Sequence, residues 1–203
     1  QVPDEVHRLE PGEVDGDVGT EVGPHPAGEV ARGRGEPAAR RPDATRSLTL
    51  LEPAAFALGQ RDPAAKSLRG TVRRIWDQDL SDEEWVVGFL KAVGSNPDEF
   101  PPEFLAAALP LVPMLRRGRP PWHPDLPLAQ LAAAPFPKLV VSGGHSAGFE
   151  AICDDLSEQI GAARAIVEGA GHEVQFTGKP INDVLSALWR AEPPSGFGPT
   201  PIP

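Results

Sequence analysis

The chain has 203 residues, of which 40% are apolar, and a formal net charge of −10 at pH 7. That length holds one domain with a sizeable core, while the acidic balance and lack of a basic stripe exclude a nucleic-acid backbone as partner. A single cysteine excludes an internal disulfide framework, and no apolar run reaches membrane-spanning length.

Residues 1–39 differ from the rest. Glu5-Val6, Glu13-Val14, Asp17-Val18, Glu21-Val22 and Glu29-Val30 repeat an acid-valine pair among glycines and prolines. Isolated valines cannot bury enough apolar surface to offset backbone ordering. The segment is expected to be a disordered acidic tail, or a GC-rich coding stretch translated out of frame. The chain opens on Gln1, so its natural start is expected upstream. With no secretory signal, the expected location is cytoplasmic.

From residue 47 the pattern becomes that of a folded protein. Residues 47–51 form a continuous apolar run closed by Glu52-Pro53, which predicts a short buried strand. Residues 60–125 carry helical periodicity. Ser81 and Glu84 predict a capping box, and Trp85, Phe89 and Val93 then recur on one helical face. A second helix is expected over 102–115, interrupted by Pro110 and Pro113. Trp76, Trp85, Phe89 and Trp122 are expected to pack together in the core of this insertion. Residues 138–143 (KLVVSG) predict a parallel strand ending in glycine. Phe149, Ile152, Leu156 and Ile160 mark a following helix, in which Cys153 is a small core residue. A further strand over 163–169 leads to Gly169-Ala170-Gly171-His172-Glu173, and a last helix is expected over 181–189. The proline- and glycine-rich residues 193–203 are expected to be disordered.

Strand, helical insertion, strand, helix, strand, histidine loop and helix, in that order over residues 40–192, resemble the C-terminal half of an α/β-hydrolase. The resemblance implies a partial parallel α/β sheet with a helical cap over about 60–125. It also implies a serine-type acyl hydrolase acting on a small-molecule ester, with no cofactor and no metal. In that reading His172 is the general base on its strand-end loop, the alternative being a loop histidine satisfied locally. The family's usual acid turn after the seventh strand is Gly143-Gly144-His145-Ser146 here, without a carboxylate. Glu52, ending the neighbouring strand, is the replacement acid or else a solvated strand cap. Glu150, Asp154 and Asp155 are assigned to helix-dipole compensation.

Gly144-His145-Ser146-Ala147-Gly148 matches the nucleophile-elbow pattern G-x-S-x-G. Yet the hydrolase order places later strands, acid and cap between serine and histidine, whereas one helix and one strand separate Ser146 from His172. Ser146 is therefore read as a structural turn, with a nucleophilic role as the alternative. His123, in a proline-rich linker, is read as a loop residue. With no recognisable elbow in residues 1–39, little or no hydrolase activity is expected of this chain by itself. The competing expectation is a non-catalytic fragment that pairs its exposed sheet edge with a partner chain or with itself.

Overall fold

The computed structural model describes residues 36–123 and 125–190. A short helix, α1 (Glu36–Arg40), precedes strand β1 (Leu48–Leu51), and β1 leads to helix α2 (Pro63–Asp77). The Asp62 side chain caps α2 by accepting from the Ala64 and Ala65 amides, and Pro63 occupies its first turn, where no amide donor is needed. Helix α3 (Asp82–Ala92) starts with the expected capping box, formed in both directions between Ser81 and Glu84. The helix expected over 102–115 is divided. Prolines split it into α4 (Pro102–Ala108), a 3-10 turn (Leu109–Leu111) and α5 (Val112–Arg117), because Pro110 and Pro113 each fall in a first turn. Helix α6 (Leu128–Ala133), strand β2 (Lys138–Ser142), helix α7 (Ala147–Ile160), strand β3 (Ala163–Ile166) and helix α8 (Lys179–Arg190) complete the order.

The three strands form one parallel sheet in the order β1-β2-β3. Leu50 lies opposite Val140, and Val141 opposite both Leu51 and Ala165. Alternate residues face opposite sides of the sheet, so two cores form. Leu48, Leu50 and Val140 pack with Phe149, Ile152, Leu156 and Ile160 of α7. On the other face Leu51, Leu139, Val141 and Ala165 meet Ile181, Val184, Leu185 and Leu188 of α8. Helices on both faces of a parallel sheet make the molecule α/β. The specific arrangement of a hydrolase, with its further strands, goes beyond these three. Among the described residues no strand pairs with the outer edge of β1, and no helix is long and apolar enough to cross a membrane.

The insertion between β1 and β2 is not a separate layer throughout. Ala65 and Val72 of α2 belong to the main core beneath the sheet, together with Val93 just beyond α3. Trp85, Val86 and Val112 form a third cluster, against which Ile75, Trp76, Leu105 and Leu115 pack. Its aromatic members interlock. Trp76 meets Trp85 and Trp122 edge-on at 5.1 and 5.5 Å, and Trp85 stacks on Phe89 at 5.2 Å. The Trp85 indole N–H is buried with no acceptor among the described residues.

Residues 36–39 lie in α1, and Ala38 and Ala39 pack against the main core. The rest of the acidic segment, and residues 193–203, lie outside the described residues.

Candidate functional site

The carboxyl ends of the three strands bring Glu52, the turn 143–146 and the His172 loop together. Glu52 extends β1 by one step, its amide donating to the Val141 carbonyl at 2.9 Å. Its φ of 39° makes it the one non-glycine residue of left-handed backbone among those described. Such a conformation costs an L-residue roughly 1–2 kcal/mol, and residues held this way cluster at sites of function. The left-handed turn carries the side chain inward, where it is only 2% exposed. Oε1 accepts from the Gly143 amide at 2.6 Å. Oε2 faces Nδ1 of His172 at 3.4 Å. The carboxylate is thus shared by two partners, and the alternative of a solvated strand cap does not describe it.

The histidine loop is placed by backbone. Beyond β3 the Val167 amide still donates to the Ser142 carbonyl at 2.8 Å. Gly169 and Gly171 then turn with φ of 76° and 66°, a conformation that glycine adopts without steric cost. Gly143 lies so close to this loop that a Cβ there would overlap the Gly171 carbonyl oxygen. The amide that holds Glu52 and the loop that carries His172 therefore share one contact. Phe149 packs beside the imidazole, ring centroids 4.9 Å apart. No hydrogen bond engages Nε2 of His172 among the described residues. With Nδ1 directed at a carboxylate and Nε2 uncommitted, the ring has the arrangement a general base requires.

Ser146 stands at the N-cap of α7. Its φ is −140°, ordinary extended backbone, and its Oγ accepts from the Phe149 amide at 3.4 Å. The backbone of a nucleophile-elbow serine is strained, which that of Ser146 is not, and among the described residues no hydrogen bond joins Ser146 to either nearby histidine. Three carboxylates assigned to the helix dipole have more particular partners. Glu150 accepts from the Gly144 amide and from Ser142 Oγ at 2.8 Å, and it pairs with Arg164. Asp154 takes the Arg164 Nε at 2.9 Å, and Asp155 accepts from the Gly59 amide at 2.6 Å. Only Glu150 lies in the first turn of α7. His123 receives the Asp125 amide at 3.4 Å in its linker. Cys153 is fully buried, and burial pushes its thiol up to about 12 although Arg164 acts in the opposite direction.

Two features were not singled out from sequence. His145 lies beside Glu52, its Nδ1 3.8 Å from Oε1, and its Nε2 meets the Val93 carbonyl at 3.2 Å. The His145 backbone is open to solvent, but its side chain is only 17% exposed. Ser95, in the loop leaving α3, is buried and bonds through Oγ to the carboxylate of Glu173, the residue after His172. A histidine on a Gly-Gly turn after an apolar strand was a visible signal for His145. Nothing in the sequence pointed to Ser95. Among the described residues no group of three or more His, Cys, Asp or Glu is arranged to hold a metal ion. No family model, curated protein or solved structure matches this chain.

Proposed function

We propose that Glu52 and His172 are the orienting carboxylate and general base of a serine-type acyl hydrolase of the α/β-hydrolase kind. The observation that carries this reading is the shared Glu52 carboxylate, held by the Gly143 amide through one oxygen and directed at His172 Nδ1 through the other. A carboxylate in that place keeps the proton on Nδ1, leaves Nε2 basic, and stabilises the imidazolium formed when Nε2 takes a proton from a hydroxyl. The left-handed backbone of Glu52 supports the same reading, since it accompanies the turn of the side chain toward Gly143 and His172. The nucleophile in this proposal is a hydroxyl outside the described residues. In the resembling family the nucleophile-bearing strand adjoins the strand corresponding to β1, whose outer edge is unpaired among the described residues.

The test is hydrolysis of p-nitrophenyl esters by the purified chain. Turnover above buffer is expected to be weak, and to fall by about 10³-fold or to the buffer rate on His172→Ala. It should drop similarly on Glu52→Gln and persist on Ser146→Ala. Turnover that survives His172→Ala, or is lost on Ser146→Ala with the fold intact, overturns the assignment.

A further inference from the structure

We infer that His145 is a positioning residue: it sets the orientation of the Glu52 carboxylate toward His172 and ties that orientation to the loop leaving α3. The inference rests on the Glu52–His172 reading above. Its basis is a set of contacts that converge on one ring.

His145 Nδ1 lies 3.8 Å from Glu52 Oε1, the oxygen that also accepts from Gly143. Oε2 is left to His172. With a proton on Nδ1 as well as on Nε2, the ring attracts Oε1 across that gap as an ion pair, which favours the rotamer that presents Oε2 to the base and leaves the second oxygen unoccupied. The opposite edge of the ring is fixed by the Val93 carbonyl, which accepts only if Nε2 carries a proton. The neutral ring can serve Val93 alone. The imidazolium also has a proton for Glu52. Phe149 bounds the ring at 5.6 Å between centroids and touches His172 as well, so both histidines lean on one aromatic side chain.

The backbone presses on the ring from the α3 side. Gly94 has φ of 90°, and a Cβ there would sit 2.8 Å from both Cδ2 and Nε2 of His145. One residue further, Ser95 bonds to Glu173. The loop 93–95 is thus fastened at two points, each adjoining a member of the Glu52–His172 pair. Movement of this loop, which carries the end of α3, must move His145 or break its bond to Val93. The arrangement couples the helical insertion to the geometry of the base.

The experiment is NMR of protein labelled with 15N histidine. Two-bond proton–nitrogen spectra show which ring nitrogens carry protons, and solvent exchange of the His172 Nδ1 proton reports how firmly Glu52 holds it. In the unaltered protein His172 is expected to carry its proton on Nδ1, and His145 one on each ring nitrogen, Nε2 toward Val93 and Nδ1 toward Glu52; a His145 bare at Nδ1 overturns its role. His145→Phe keeps a ring but removes both polar contacts. It should speed exchange of the His172 Nδ1 proton by about tenfold, the loss expected for one charge-assisted contact. His145→Asn, which restores a donor near the Nδ1 position, should recover most of that protection. Gly94→Ala disturbs the ring from the loop and should act in the same direction as His145→Phe, even if the latter folds poorly. Gly161→Ala is its control, because Gly161 also has positive φ (64°) but has no atom within 4 Å of an added Cβ. A His172 proton on Nε2 in the unaltered protein overturns the Glu52–His172 pair and this inference with it. A His172 proton on Nδ1 whose exchange is unchanged or slowed in both His145→Phe and Gly94→Ala leaves the pair standing and overturns the role of His145 alone.

Discussion

Replacing Glu52 in series separates what holds its carboxylate from what strains its backbone. Glu52→Gln, Glu52→Ala and Glu52→Gly all remove the same charge, so the cost of burying it cancels within the series. Gln retains an oxygen for the Gly143 amide, which is buried. Ala leaves that donor orphaned, at a cost of about 1–3 kcal/mol. The Ala–Gly comparison is different, because both lack the acceptor. There the left-handed backbone at φ 39° penalises Ala by roughly 1–2 kcal/mol. Against this, glycine loses more freedom on folding, by roughly 0.5–1 kcal/mol. Gly should therefore exceed Ala by a net of about 0.5–1 kcal/mol, or about 2 °C in Tm. Urea unfolding followed by circular dichroism, with a common m-value, measures both differences. Gln no more stable than Ala would mean that the Gly143 bond does not hold position 52. Ala more stable than Gly by about 0.5–1 kcal/mol, the glycine entropy acting alone, would mean that the backbone there stores no strain, and the structural argument for a functional Glu52 would lose one of its two supports.

Cys153 should be inert in the folded protein. With its thiol pushed up to about 12, the thiolate fraction at pH 8 is on the order of 10⁻⁴, so iodoacetamide should label it only after urea unfolding. Labelling of the folded chain at the rate of a free thiol would refute its burial. Trp85 offers a contrast in the helical insertion, where its indole N–H is buried without an acceptor. Trp85→Ala should cost about 3–5 kcal/mol as a cavity. Trp85→Phe keeps an aromatic against Trp76 and Phe89 while deleting the orphan donor, and should cost less than half as much in the same urea melts. Equal losses in the two variants would show that the indole N–H, which both lack, decides rather than the cavity, and would refute its reading as an orphan donor.

Periodicity carried the reading furthest where each residue's fate depends on near neighbours. The continuous apolar run of β2, buried throughout, the spacing of Phe149, Ile152, Leu156 and Ile160 on α7, and the Ser81–Glu84 box are all local, and all appear in the structure as the sequence implies. Glu52 and His172 were legible for a related reason. A polar residue ending an apolar strand of a parallel sheet falls at the carboxyl edge whatever the strand pairs with. Partners brought from a distance were not legible. Glu150 looks like a dipole residue until β3 delivers Arg164 beside it. His145 meets the same strand-end criterion as His172, yet the two features its turn shows in sequence, the G-x-S-x-G match and the missing carboxylate, both point away from the histidine. What makes His145 matter is Glu52 from β1 and the Val93 carbonyl from the end of α3, two groups that only the folded chain places on either side of one ring. The positive φ of Glu52 was equally hidden, because nothing about glutamate announces left-handed backbone. It follows from closure: the amide of Glu52 stays in the ladder with Val141 while its side chain turns back to reach Gly143, and the φ of 39° accompanies both contacts. Strain at that residue and the second histidine beside it thus have one origin, the convergence of three strand ends on a single carboxylate.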